Sequence, residues 1–144
     1  MKIRLAIIIL MILTLSATLL AQAQDQIKLP PVHRQTLDNG LQVVVVEHPE
    51  VPVVTFMLVV KSGGMQDPAG KAGLANLTAN LLRQGTQTKT ATQISEEIDF
   101  IGGFLGAGAD YDYLSASCTV LKKYSDTGLD LLSEVVLNPV FTEE

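Results

Sequence analysis

The stretch Lys71-Ala-Gly-Leu-Ala-Asn-Leu-Thr-Ala-Asn-Leu-Leu-Arg-Gln-Gly-Thr86 decides how the chain is read. As a helix it places Leu74, Leu77, Thr78, Leu81 and Leu82 at i, i+3, i+4, i+7 and i+8, an apolar stripe suited to packing on a core. Asn76, Ala79, Asn80 and Arg83 are expected on the opposite face. Gly70 and Gly85 bracket the segment, and the helix is expected from near Lys71 to Gly85.

On the N-terminal side, Arg34–Leu37 and Leu41–Glu47 are β-prone runs joined by Asp38-Asn39-Gly40. Asn-Gly between such runs signals a hairpin, because both residues tolerate positive φ. Glu47-His-Pro-Glu-Val-Pro52 breaks the strand, and Val53–Lys61 reads as a third one with both faces apolar. The turn-forming loop Ser62–Gly70 then feeds the helix.

On the C-terminal side, a second helix is expected over Ala91–Ile101, with Ile94, Ile98 and Ile101 on one face. Thr90 and Gln93 fit a capping box, and Gly102-Gly103 supplies a stop. Phe104–Tyr113 and Leu114–Leu121 read as strands. Ser125 is expected to cap a third helix with Leu129, Leu132, Val135 and Val136 on its apolar face, ended by Asn138-Pro139. The order βββ-α-α-ββ-α predicts an α+β fold with helices packed on a largely antiparallel sheet.

Lys2 and Arg4, the apolar run Leu5–Leu20 and Ala21-Gln-Ala23 together read as a signal peptide over residues 1–23, cut after Ala23. An uncleaved anchor is the alternative, disfavoured because the run is shorter than the ~20 residues of a spanning helix. The protein is therefore expected to be exported, periplasmic or secreted, with no stable membrane association after cleavage. Residues 24–32, containing Pro30-Pro31, form an extended lead-in. Beyond residue 23 lie eight basic and fifteen acidic residues, a net charge of −7. That balance argues against nucleic acid as a partner, since no basic patch meets it. Cys118 is the only cysteine, so no intramolecular disulfide forms. It alternates with Leu114, Ala116 and Val120, as a small buried strand residue does.

Asn76, Ala79 and Asn80 have the spacing of H-x-x-E-H. In that motif two imidazoles one turn apart hold Zn²⁺ and a carboxylate between them activates water. Here amides stand in the ligand positions and a methyl group in the position of the base. Asparagine's neutral carbonyl oxygen is a poor zinc ligand, and Ala79 accepts no proton, a loss commonly worth ~10²–10⁴-fold. The two amides read equally well as the solvent face of a structural helix. His33 and His48, the only histidines, belong to the early hairpin or its flank. Asp110 and Asp112 share one side of an alternating strand, where solvated strand residues explain them as well as a carboxylate pair does.

Several motifs in order add to this: Leu37-Asp-Asn-Gly-Leu41, Lys61-Ser-Gly-Gly64, Gly70-Lys-Ala-Gly-Leu-Ala75, Leu81-Leu-Arg-Gln-Gly-Thr86, Ile101-Gly-Gly103 and Leu131-Leu-Ser-Glu-Val-Val-Leu-Asn-Pro139. Together they resemble the N-terminal part of the M16 metallopeptidases, the family of pitrilysin, insulin-degrading enzyme and the mitochondrial processing peptidases. The resemblance implies a LuxS/M16 metallohydrolase-like fold over residues 33–144. It places the family's two zinc histidines on Asn76 and Asn80 and its catalytic glutamate on Ala79. The third ligand, a glutamate, would fall beyond Glu144, so an incomplete domain is expected. The family contains catalytic and degenerate halves that work together. The resemblance therefore implies a non-catalytic subunit of an exported pair, with no catalytic, metal or cofactor residue of its own and zinc in a catalytic M16 homologue. An extended peptide is the implied substrate, bound by strand addition near Gly103–Asp112, whose glycines fit either a close backbone approach or a bulge. A zinc endopeptidase active by itself and a solitary peptide-binding scaffold are the alternatives.

Overall fold

The computed structural model describes residues 30–141. The expected signal peptide, the lead-in up to Leu29 and the last three residues lie outside the described residues. The chain divides in sequence between His48 and Pro49 into two compact units.

The first unit holds an antiparallel hairpin of β1 (Val32–Thr36) and β2 (Gln42–Val46), with Thr36 opposite Gln42 and Val32 opposite Val46. Val32 thus belongs to a strand and not to the lead-in. The turn is the expected connection Asp38-Asn39-Gly40. Gly40 N–H donates to Leu37 O and Leu37 N–H to Leu41 O, with Asn39 Oδ1 accepting from Leu41 N–H. Only Gly40 takes a positive φ, 85°, so the connection is a three-residue loop with glycine in the left-handed position.

The second unit contains β3 (Val53–Val60), a 3₁₀ turn at Gly64–Gln66, α1 (Leu74–Leu81), α2 (Ala91–Phe100), β4 (Phe104–Ala109), β5 (Leu114–Leu121), a second 3₁₀ turn at Lys122–Tyr124 and α3 (Ser125–Leu137). The sheet is antiparallel in the order β3-β5-β4, so among the described residues β4 has β5 as its single strand neighbour. Period-two alternation on β5 sends Ala116, Cys118 and Val120 into the core beside Leu105 of β4. Ile94, Ile98 and Ile101 from α2 and Leu131, Leu132 and Val135 from α3 close over them. Thr90 and Gln93 form the capping box that starts α2.

Several details differ from the sequence reading. α1 begins at Leu74 because Gly73 takes φ 93°, a left-handed conformation that a continuing helix does not allow. β4 stops at Ala109, so Asp110 and Asp112 lie in the exposed β4–β5 turn and not on a strand face. Ser125 is the first residue of α3 and caps nothing with its side chain, since the chain already turns through Lys122–Tyr124. On α3 the buried face is Gly128, Leu131, Leu132 and Val135, while Leu129 is half exposed. Gly128 sets that choice: a Cβ there would stand 2.8 Å from Val120 Cγ2 and 3.3 Å from Cys118 Sγ. Only a glycine lets α3 lie this close to β5.

Candidate functional site

α1 packs on β4 and β5, and of the expected apolar stripe only Leu82 is buried. Ala79 is fully buried and Leu82 nearly so, whereas Leu74 and Leu77 are 40% and 55% exposed. At about 100° per residue, Asn76, Asn80 and Arg83 cluster within ~60° of the helix circumference. Ala79 is displaced from Asn76 towards the sheet, on the same side as Ala75 and Leu82. The expected grouping of Ala79 with the asparagines on the side away from the core is therefore corrected. Ala75 and Ala79 face a strand that is itself rich in small residues, Phe-Leu-Gly-Ala-Gly-Ala, and Leu82 is buried on the same side.

The start of α1 is held by a residue that the sequence reading missed. Asp67 accepts from Gly73 N–H through Oδ2 at 2.6 Å and from Ala75 N–H through Oδ1 at 2.9 Å. These are orphan donors of a helix N-terminus, and the carboxylate also complements the helix dipole. Its separation of six and eight residues from its partners hides it from any local capping pattern.

Asn76 and Asn80 form a directed chain of amides. Asn80 Nδ2 donates to Asn76 O at 2.9 Å and to Asn76 Oδ1 at 2.8 Å. Asn76 Nδ2 in turn donates to Ala109 O at 3.3 Å. Just past the helix, Arg83 Nη1 donates to Leu105 O at 3.3 Å. Asn76 thus meets the end of β4 and Arg83 its start, so α1 runs antiparallel to the strand. Both acceptors lie on one side. Asp110 N–H bonds Tyr113 O across the β4–β5 turn, and alternation then turns the backbone groups of Leu105, Ala107 and Ala109 away from β5. The helix and the open edge of β4 make one site.

This set does not fit zinc. The Asn76 and Asn80 amides are bonded to each other, Asn76 also bonds a main-chain carbonyl, and the methyl of Ala79 is buried. Among the described residues no group of three His, Cys, Asp or Glu side chains is arranged to hold a metal ion. His33 lies on β1 opposite Val45 and His48 follows β2, both in the hairpin unit. Cys118 is fully buried on β5, and burial pushes its thiol pKa up, which suits a packing residue and not a nucleophile. Among the described residues no helix is long and apolar enough to cross a membrane.

The sequence matches the family model described as Insulinase (Peptidase family M16) over residues 42–144. An uncharacterized zinc protease of Rickettsia felis is 32% identical over 108 residues, covering 75% of this chain and 26% of that protein. A probable mitochondrial-processing peptidase subunit beta of Arabidopsis thaliana is 25% identical over 126 residues, covering 88% and 24%. Among solved structures, a peptidase M16 inactive domain from Pseudomonas fluorescens superposes with a TM-score of 0.71 at 31% identity, covering 78% of this chain and 27% of that one. A protease from Helicobacter pylori gives 0.73 at 26% identity, covering 80% and 28%. The chain belongs to the M16 peptidase family. It spans about a quarter of the length of these relatives.

Proposed function

We propose that this chain is a non-catalytic M16 subunit of an exported pair, assisting peptide binding and proteolysis by a catalytic, zinc-bearing M16 homologue. The observation that carries the reading is the α1 site. Its ligand positions are two amides engaged with each other, and its base position is a buried methyl group. Such a helix has neither a metal-binding donor set nor a general base. What the site does offer is backbone: the outward groups of Leu105, Ala107 and Ala109 on an edge strand. An extended peptide adds to such an edge by main-chain hydrogen bonds. The description of the Pseudomonas fluorescens relative as an inactive domain supports the same reading, and Ala21-Gln-Ala23 supports export.

The test is to mix the full chain with an M16 homologue that carries an intact H-x-x-E-H motif. A complex on size exclusion and a change in its peptide cleavage are expected. If neither occurs, the pairing is wrong. Stoichiometric zinc in the purified chain, lost on replacing Asn76 and Asn80, would overturn the non-catalytic reading itself.

A further inference from the structure

We propose that Asn76 and Arg83 gate the open edge of β4, holding the carbonyls that an added peptide strand needs. This rests on the peptide-binding reading above and says what controls that site.

An antiparallel strand laid on β4 would pair with Leu105, Ala107 and Ala109, whose groups point away from β5. It would offer N–H donors to three carbonyls and accept from three N–H groups. Two of those carbonyls already have donors: Arg83 Nη1 on Leu105 O and Asn76 Nδ2 on Ala109 O. Ala107, between them, has no side-chain partner of this kind among the described residues. The edge therefore accepts a full pair of backbone bonds at its centre, and longer pairing competes with the two side chains for Leu105 O and Ala109 O. Asn80 makes the gate at Asn76 directional. Its Nδ2 holds Asn76 Oδ1 at 2.8 Å, which turns the Asn76 amide nitrogen towards the strand.

These positions serve a second purpose while the site is empty. An edge strand with unpaired backbone groups is a template for unwanted strand pairing. Two side chains capping its carbonyls from a neighbouring helix blunt that template without burying it. Both contacts are long at 3.3 Å, as suits bonds that are exchanged for better ones when a peptide arrives.

The test uses the full chain, its Asn76→Ala and Arg83→Leu variants, and a short soluble fluorescein-labelled peptide of alternating threonine and valine. Fluorescence anisotropy reads the binding. Each variant is expected to bind on the order of threefold to tenfold more tightly, as one freed carbonyl gains a peptide N–H. The gain should vanish for the same peptide N-methylated throughout, which has no N–H to offer. If the wild-type chain binds and the folded variants bind equally or less tightly, the gate is wrong while the peptide-edge reading stands. If neither wild type nor variants bind the plain peptide, the edge reading falls and the gate falls with it. Should Asn76→Ala not fold, Arg83→Leu breaks the other contact alone and decides the matter.

Discussion

Asn80 Nδ2 lies 2.8 Å from Asn76 Oδ1, so the side-chain oxygen of Asn76 is held by the residue one turn on. Beside them, Ala79 has no exposed surface. α1 is a packed structural element joined to β4. Restoring the motif means undoing that packing as well as changing side chains.

Ala79→Glu therefore tests how far the site has closed. The longer side chain overfills the contact with β4 and β5 and brings a carboxyl group into it. A loss of about 1–3 kcal/mol is expected in urea denaturation. An unchanged midpoint would mean that Ala79 faces open space in solution.

Asp67→Ala removes the acceptor shared by Gly73 and Ala75 at the start of α1. The expected cost is about 1–2 kcal/mol, the range seen for losing a side-chain cap. Hydrogen exchange should quicken in the first turn of α1 before it does in α2, whose own capping box is untouched. Equal protection of both helices in the variant would contradict this.

Glu134 couples stability to acid. Thr88 Oγ1 donates to its Oε1 and Asn138 Nδ2 to its Oε2, each at 2.6 Å. Hydrogen bonds, Thr88's the largest influence, hold its carboxyl down from the ordinary 4.5 to about 2. Between those values the unfolded chain binds the proton and the folded chain does not, so stability rises with pH across that window. The contribution is present above about pH 4.5 and is lost as pH falls towards 2. Glu134→Gln should flatten this part of the stability profile measured by denaturation at stepped pH. An unchanged slope would show that the carboxylate is not held as described.

Gly128→Ala weighs two effects of opposite sign. Alanine gains up to ~1 kcal/mol of helix propensity over glycine. The new methyl, however, would stand 2.8 Å from Val120 Cγ2 and 3.0 Å from Val120 Cγ1, and overpacking commonly costs ~1–3 kcal/mol. The clash is expected to prevail, giving a lower thermal midpoint. Val120→Ala in the same background should recover part of the loss, because it removes the atoms that collide.

Local chemistry determined a good deal of this protein by itself. The order of strands and helices, the capping box at Thr90 and Gln93, the burial of Cys118 and the family motifs all follow from short-range pattern. That Asn76, Ala79 and Asn80 carry neither an imidazole nor a carboxylate is also legible there, because residue identity alone decides it. Which face of α1 meets the sheet is not. Leu74, Leu77, Leu81 and Leu82 make the stronger apolar stripe, yet the face that is buried is rotated to Ala79 and Leu82, leaving Leu74 and Leu77 exposed. Asp67 and Arg83 were invisible as contacts for the same kind of reason: their partners lie six to twenty-two residues away. Periodicity fixes that a segment is a helix, while the shape of the surface it docks on fixes its rotation. In this chain that rotation buries Ala79 and carries Asn76 and Arg83 to the edge of β4.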